Sequence, residues 1–218
     1  MGSTSSMADR GGGPARVVVI DSGVKLAHPH VRGMGDVVCG PTFNGPGEAE
    51  PGEQVDRLGH GTAVAATILE HAPGSWLCSI KVFDDRPECP FEFVLRALKY
   101  AIGLQPDLIN LSLGTPCLEW KDGLADLLRA ASRSGSRIVA PADFQGLPSY
   151  PGSLDGADGV VADQAMERGA PARAGGWWRA SPHPREIPHI ERSRWSGSSF
   201  AVANVTGFLA RSVAPSSS

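Results

Sequence analysis

The sequence has no long apolar run, no excess of one charge and no paired-cysteine motif, and each absence removes a class of protein. No stretch approaches the roughly 20 apolar residues that a transmembrane helix needs. With 20 Lys and Arg against 23 Asp and Glu, the net charge is -3, which leaves no basic footprint for nucleic acid. Four cysteines, Cys39, Cys78, Cys89 and Cys117, show neither CxxC pairing nor metal-ligand spacing. They read as reduced thiols in a cytosolic protein; if any two are bridged, Cys89 and Cys117, which both follow expected strands, are the pair. The opening MGSTSSMADRGGGPAR lacks the apolar segment of a secretory signal, so a cytoplasmic location is expected. Residues 1–15 are expected to be a flexible leader or tag remnant and 213–218 a flexible tail. No internal repeat is visible. What is present, 218 residues of which 41% are hydrophobic, suffices for one domain with a full core.

Strand and helix signals alternate along that domain. RVVVI at 16–20 is a continuous β-branched run ending at Asp21-Ser22-Gly23, as in a buried parallel strand entering a loop. GTAVAATILEHA at 61–72 is helix-like and stops at Pro73-Gly74. Strand 78–83 follows, then a helix opened by Pro90 with FEFVLRALKYAI at helical spacing. Strand 107–113, helix 118–133, strand 137–141 and a weaker strand 158–162 continue the pattern, and a helix of small residues runs from Ser198 to about Arg211. Residues 163–194 read as a loop-rich excursion. This alternation predicts an α/β fold, a doubly wound αβα sandwich with a mainly parallel sheet.

Three segments carry chemistry: VVVIDSGV around Asp21, RLGHGTAVAA around His60 and SGSSFAVANVTG around Ser199. A serine hydroxyl is a poor nucleophile until a base takes its proton. A histidine does this, and a carboxylate on its far nitrogen fixes the tautomer and stabilises the imidazolium. Asp21 stands at the carboxyl end of an expected strand, where open α/β sheets place their sites. His60 sits between two glycines at a helix start. Ser199 lies inside another helix N-terminus, where free N–H groups favour developing negative charge. Taken singly, each segment is more often a turn, a cap or a loop. Together, in the order Asp, His, Ser, they reverse that judgement. The order also separates the chain from the α/β-hydrolases (Ser, Asp, His) and the chymotrypsin type (His, Asp, Ser).

These segments resemble the subtilases, the subtilisin-like serine proteases, over roughly residues 16–210. Asp21 matches the family's Asp-Ser/Thr-Gly aspartate, and HPHV at 28–31 resembles the His-Pro stretch after it. His60 matches His-Gly-Thr, and Ser199 matches the serine of Gly-Thr-Ser-Met-Ala, here Gly197-Ser198-Ser199-Phe200-Ala201. LINLSLG at 108–114 is similar to the segment that pairs with an extended substrate, implying Ser112, Leu113 and Gly114 as one edge of a groove that works by strand addition. The resemblance also implies Ala140, Pro141 and Ala142 as substrate-binding residues, and YPGS at 150–153 implies Ser149 near the base of the first specificity pocket. It further implies a catalytic domain over 16–212, an acyl-enzyme mechanism and an oxyanion hole of the Ser199 N–H and residue 143.

The chain departs from that pattern in three places. Subtilases usually carry Asn at the position of Asp143, and losing that amide costs on the order of a hundredfold or more in turnover. An ionised Asp143 cannot donate to an oxyanion, whereas a protonated one can; the bland alternative is an Asp143 turned to solvent. Second, ATILEHAPGSW runs almost directly from helix to strand, leaving no room for the loop that holds a tight calcium ion in many members. No metal and no cofactor are therefore expected, and His28 and His30 read as loop polars. Third, the sequence is shorter than the family pattern after the Ser199 helix and before Asp21, and the expectation is a minimal catalytic core without a pro-segment that folds unaided, needs a partner protein to complete it, or belongs to a larger assembly.

Other polar clusters have ordinary readings. Asp84 and Asp85 suit a turn, Trp177 and Trp178 suit packing, and Arg179, Arg185, Arg192 and Arg194 suit a solvated loop. The expected function is peptide-bond hydrolysis on an extended peptide or protein substrate, for instance leader-peptide removal, with no nucleic acid or membrane partner. Two rivals remain open: an impaired peptide-binding module, and an acyl transferase or cyclase using the same three residues.

Overall fold

A computed structural model describes residues 13–45, 54–186 and 196–213. The β-branched run forms strand β1 (Arg16–Asp21), buried at every residue after Arg16. It pairs in parallel on one side with β3 (Trp76–Lys81), which in turn pairs with β2 (Asp36–Thr42), and on the other with β4 (Leu108–Leu111). The sheet continues through β5 (Arg137–Pro141) and β8 (Asp158–Ala162) to β10 (Trp177–Ala180) and β9 (Ala172–Ala174). Of these eight strands only β9 runs antiparallel to its neighbour, so the sheet is mainly parallel, as expected. A short hairpin of β6 (Asp143–Phe144) and β7 (Leu147–Pro148) stands apart from it.

Successive residues of β1 point to opposite faces, and each face has its own helices. Val17 and Val19 pack in the cluster formed with α1 (His60–His71) and α4 (Ser198–Val213). Val18 and Ile20 pack with α2 (Phe91–Gly103) and α3 (Lys121–Arg133). The α2 and α3 helices bury one stripe each, Val94, Ala97, Leu98 and Ala101 in the first and Leu124, Leu127, Leu128 and Ala131 in the second, which is the spacing that a helix on a sheet requires. The α1 and α4 helices are buried nearly all round, and their small residues let them approach closely. A Cβ on Gly207 would come within 2.8 Å of the His71 Cβ. The chain steps from β1 out to β2 and back through β3, then crosses to β4. The crevice at the carboxyl ends of β1 and β4 is therefore the switch point where such sheets bind ligands.

Some expectations shift against the structure. The strand read at 78–83 runs Trp76–Lys81 and the one read at 107–113 runs Leu108–Leu111, while 137–141 and 158–162 stand as read. The helix read at 118–133 opens with a 3-10 turn, Leu118–Trp120. Strand β2 lies where no element was expected. Within 163–194, β9 and β10 extend the main sheet, so this stretch is not merely a loop excursion. All four cysteines are free thiols, so Cys89 and Cys117 are not bridged. Burial pushes the thiols of Cys78 and Cys89 up to about 11. Residues 1–12 of the expected leader, 214–218 of the tail, and Arg192 and Arg194 lie outside the described residues. Ala15 is fully buried, and its carbonyl accepts from the Trp76 N–H. Among the described residues no helix is long and apolar enough to cross a membrane.

Candidate active site

Asp21 ends β1 with no exposed surface, because its strand lies inside the sheet between β3 and β4. Its Oδ1 accepts the Ser22 N–H at 2.7 Å and faces His60 Nδ1 at 2.8 Å. The other oxygen, Oδ2, is buried with no hydrogen-bond partner among the described residues. An acceptor-only group at Nδ1 requires the proton on that nitrogen, which leaves Nε2 free to act as a base.

His60 opens α1. Gly59 before it takes a left-handed backbone, φ 74°. Gly61 after it packs so tightly that a Cβ would sit 2.2 Å from the Gly23 carbonyl oxygen. The glycines flanking His60 are thus geometric necessities: together they bring the helix start against the end of β1. Burial alone would push the imidazolium's pKa down. The charge and hydrogen bond of Asp21, with a further contribution from the charge of Asp56, outweigh it, and the pKa lies above the ordinary histidine value of 6.5. The Phe200 ring of α4 covers the imidazole at 5.2 Å between centroids.

Ser199 lies in the first turn of α4, half-buried. Its hydroxyl donates to the Ser112 carbonyl at 2.9 Å. That carbonyl is held by a polar chain running back into the core: Asn110 Nδ2 donates to Ser112 Oγ at 2.8 Å, and Thr206 Oγ1 donates to Asn110 Oδ1 at 2.9 Å. The nucleophile candidate thus stands beside the histidine's aromatic neighbour with its proton engaged by Ser112.

Ser112, Leu113 and Gly114 continue from the end of β4; Ala140 and Pro141 end β5, and Ala142 follows. The structure brings the two stretches together over Ser149. The Ser149 N–H donates to the Ala142 carbonyl at 3.0 Å. A Cβ on Gly114 would lie 2.2 Å from Ser149 Oγ and 3.4 Å from Pro141 Cγ. Thr115 and Tyr150 exchange backbone hydrogen bonds at 3.0 and 2.9 Å, closing the far side. Ser149 Oγ is buried without a partner among the described residues. Asp143 does not join this cluster. It is exposed, and its Oδ1 accepts the Gly146 N–H across its own turn at 3.3 Å, so of the two readings the solvent-facing one describes this structure.

The other polar candidates are structural. His28 Nδ1 accepts the His30 N–H at 3.2 Å, and among the described residues no group of three or more His, Cys, Asp or Glu converges as a metal site. Asp84 and Asp85 form exposed ion pairs with Arg57, and Asp84 also reaches Lys81. Trp178 packs on Phe208. Among the polar residues that escaped the sequence reading is Asp56, four residues before His60, whose carboxylate accepts from Ser22 Oγ and from the Gly59 and Thr62 N–H groups, each at 2.8 Å.

A doubly wound parallel sheet with Asp, His and Ser at its carboxyl edge, in that chain order, defines the subtilisin-like class. The subtilase family model matches residues 13–170, and the chain belongs to the subtilase family. The match ends before Ser199. Subtilisin of Bacillus pumilus is 33% identical over 146 residues, 62% of this chain and 49% of the relative. Subtilisin E of Bacillus subtilis (strain 168) is 32% identical over 146 residues, 62% of this chain and 35% of the relative. An intracellular serine protease of Paenibacillus polymyxa is 32% identical over 110 residues, 46% and 33% of the two chains. The chain thus spans half the length, or less, of these relatives.

Proposed function

We propose that this chain is a serine endopeptidase in which Ser199 attacks, His60 carries the proton and Asp21 orients the imidazole. The observation that carries the reading is the Asp21–His60 contact of 2.8 Å, made by a fully buried carboxylate. The Ser199 hydroxyl rotates from the Ser112 carbonyl to His60 Nε2, which takes its proton as Oγ bonds to the substrate carbonyl carbon. The proton passes to the leaving amine, and water then releases the acyl group by the same route. Developing oxyanion charge falls at the N-terminus of α4, where the Ser199 N–H faces it; Asp143, turned to solvent with its carboxylate on the Gly146 N–H, supplies no second donor in this conformation. The substrate is an extended peptide that adds as a strand to Ser112–Gly114, with a side chain between that edge and Ala140–Ala142 above Ser149. A specific processing role in the cytoplasm, such as leader-peptide removal, fits this reading, and relatives named as intracellular serine proteases support the location.

A second reading, an impaired peptide-binding module, is favoured by the Ser199 proton on Ser112 and by the Asp143 carboxylate closing its own turn. A fluorophosphonate probe decides between them. Stoichiometric labelling that disappears in Ser199→Ala supports the peptidase; no labelling from acidic to neutral pH supports the binding module.

A further inference from the structure

We propose that Asp56 is a positioning residue of this site: its carboxylate pins the chain on both sides of His60 to the end of β1, so that the imidazole stays on Asp21. The proposal rests on the peptidase reading and adds to it a residue outside the three that react. The α1 helix needs such a residue because its N-cap is Gly59, which has no side chain to satisfy the free N–H groups of the first turn. Asp56 does so from four residues upstream. Its Oδ1 accepts the Gly59 N–H and its Oδ2 the Thr62 N–H, both at 2.8 Å, with the Thr62 hydroxyl a further donor to Oδ2.

The same carboxylate reaches β1. Ser22 Oγ donates to Asp56 Oδ1 at 2.8 Å and itself accepts the Gly61 N–H at 2.9 Å, while the Ser22 N–H donates to Asp21 Oδ1. Residues 59, 61 and 62 around His60 are thereby tied, through Asp56 and Ser22, to the residue that follows Asp21. Lys81 fastens the two segments from the sheet side. Its buried ammonium donates to the carbonyls of Ser22, at 3.0 Å, and Val55, at 3.1 Å. A neutral cap could shape the helix start equally well; a carboxylate also adds negative charge beside an imidazolium that forms during turnover. The charged groups acting on His60 are Asp21 from β1 and Asp56 from the loop, and α4 presents the uncharged Phe200 ring.

The test uses the full chain and a fluorophosphonate probe, with the inactivation rate and probe affinity measured against pH. Asp56→Ala is expected to slow inactivation by about tenfold or more with probe affinity unchanged, the mark of a misplaced base. Asp56→Asn, which keeps an acceptor for Gly59 and Ser22, is expected to recover most of that rate. Both variants are expected to move the acid limb to lower pH, because the charge that helps hold the His60 proton is gone. A merely structural Asp56 would lower stability and leave the limb where it is. If Asp56→Ala does not fold, the limb in Asp56→Asn carries the test alone. NMR titration of the His60 ring in wild type and Asp56→Asn gives the same readout without turnover. An unlabelled wild type would sink the peptidase reading, whereas an unmoved His60 titration in Asp56→Asn would sink this one.

Discussion

Asp143 begins the β6–β7 hairpin with its carboxylate on the Gly146 N–H, and a side chain so engaged offers no donor to a substrate oxygen. The turn depends on left-handed backbone at Gln145, φ 55°, and Gly146, φ 82°, and an Asn at position 143 closes such a turn as readily as an Asp. Asp143→Asn therefore supplies an amide donor without disturbing the hairpin. A preorganised donor is worth on the order of a hundredfold, and one that must first leave its turn is worth less. The variant is expected to label about tenfold faster with the fluorophosphonate probe at neutral pH, and a rate equal to or below wild type would mean that a donor at position 143 does not reach the oxyanion.

At the scale of elements, one buried carboxylate joins the strands on the far side of the sheet. Asp158 opens β8 and receives Arg137 of β5 through Nε at 2.8 Å and a second guanidinium nitrogen at 2.9 Å. It also receives Arg173 of β9 at 2.7 Å and the Trp178 indole of β10 at 3.0 Å. Burial on its own would raise its pKa; the hydrogen bonds of Arg137 and Trp178, with the charges of Arg137 and Arg173, more than reverse this. Asp158→Ala leaves the tryptophan N–H and two half-exposed guanidinium groups without their acceptor. The expected loss is about 2 kcal/mol, below the figure for a fully buried pair because both arginines reach solvent. A urea midpoint equal to wild type would mean that the backbone ladder alone holds this edge.

That edge is also where the sequence was least legible. Strands β1, β4 and β5 announce themselves as short, mainly aliphatic runs because both of their faces are buried. In contrast, β9 and β10 are three- and four-residue pieces, mostly exposed, around the Gly175-Gly176 turn. Their pairing depends on Asp158, which no local pattern reveals. Strand β2 contains Gly40 and Pro41, which read as a break, and it lies at the opposite edge, where only one neighbour must be satisfied. The same contrast governs the site. Asp21, His60 and Ser199 each carry a local signature of small residues, and beside Asp21 and His60 the backbone requires the glycines. Asp56 is an ordinary loop aspartate until folding brings Ser22 against it.

For the molecule as a whole, α1 and α4 carry His60 and Ser199 in their first turns and meet again where the last residue of α1 packs on the middle of α4, so the site inherits the rigidity of one helix pair. There His71 Nε2 donates to Asn204 Oδ1 at 2.8 Å, and the Asn204 amide donates to the carbonyls of Ser181 and His183, both at 2.9 Å. Because that amide already donates twice, Oδ1 must accept, which puts the proton on His71 Nε2. Burial lowers the His71 pKa below 6.5; the Asn204 hydrogen bond opposes this and the nearby Arg211 charge adds to it. A histidine depressed in the folded state contributes stability that is present above the unfolded value and lost as pH falls through the folded one. His60, raised, has the opposite sign: its contribution is full below 6.5 and lost as pH rises through its folded pKa. The two slopes have opposite sign and fall on either side of 6.5, that of His71 below it and that of His60 above it, so the combined contribution is greatest near that value. His71→Gln keeps a donor for Asn204 and removes the titration. Its urea midpoint is expected to rise relative to wild type as pH falls below 6.5, and to follow wild type above 6.5, where only the His60 slope acts. A pH dependence identical to wild type would mean that protonation of His71 is not felt at the α1–α4 seam.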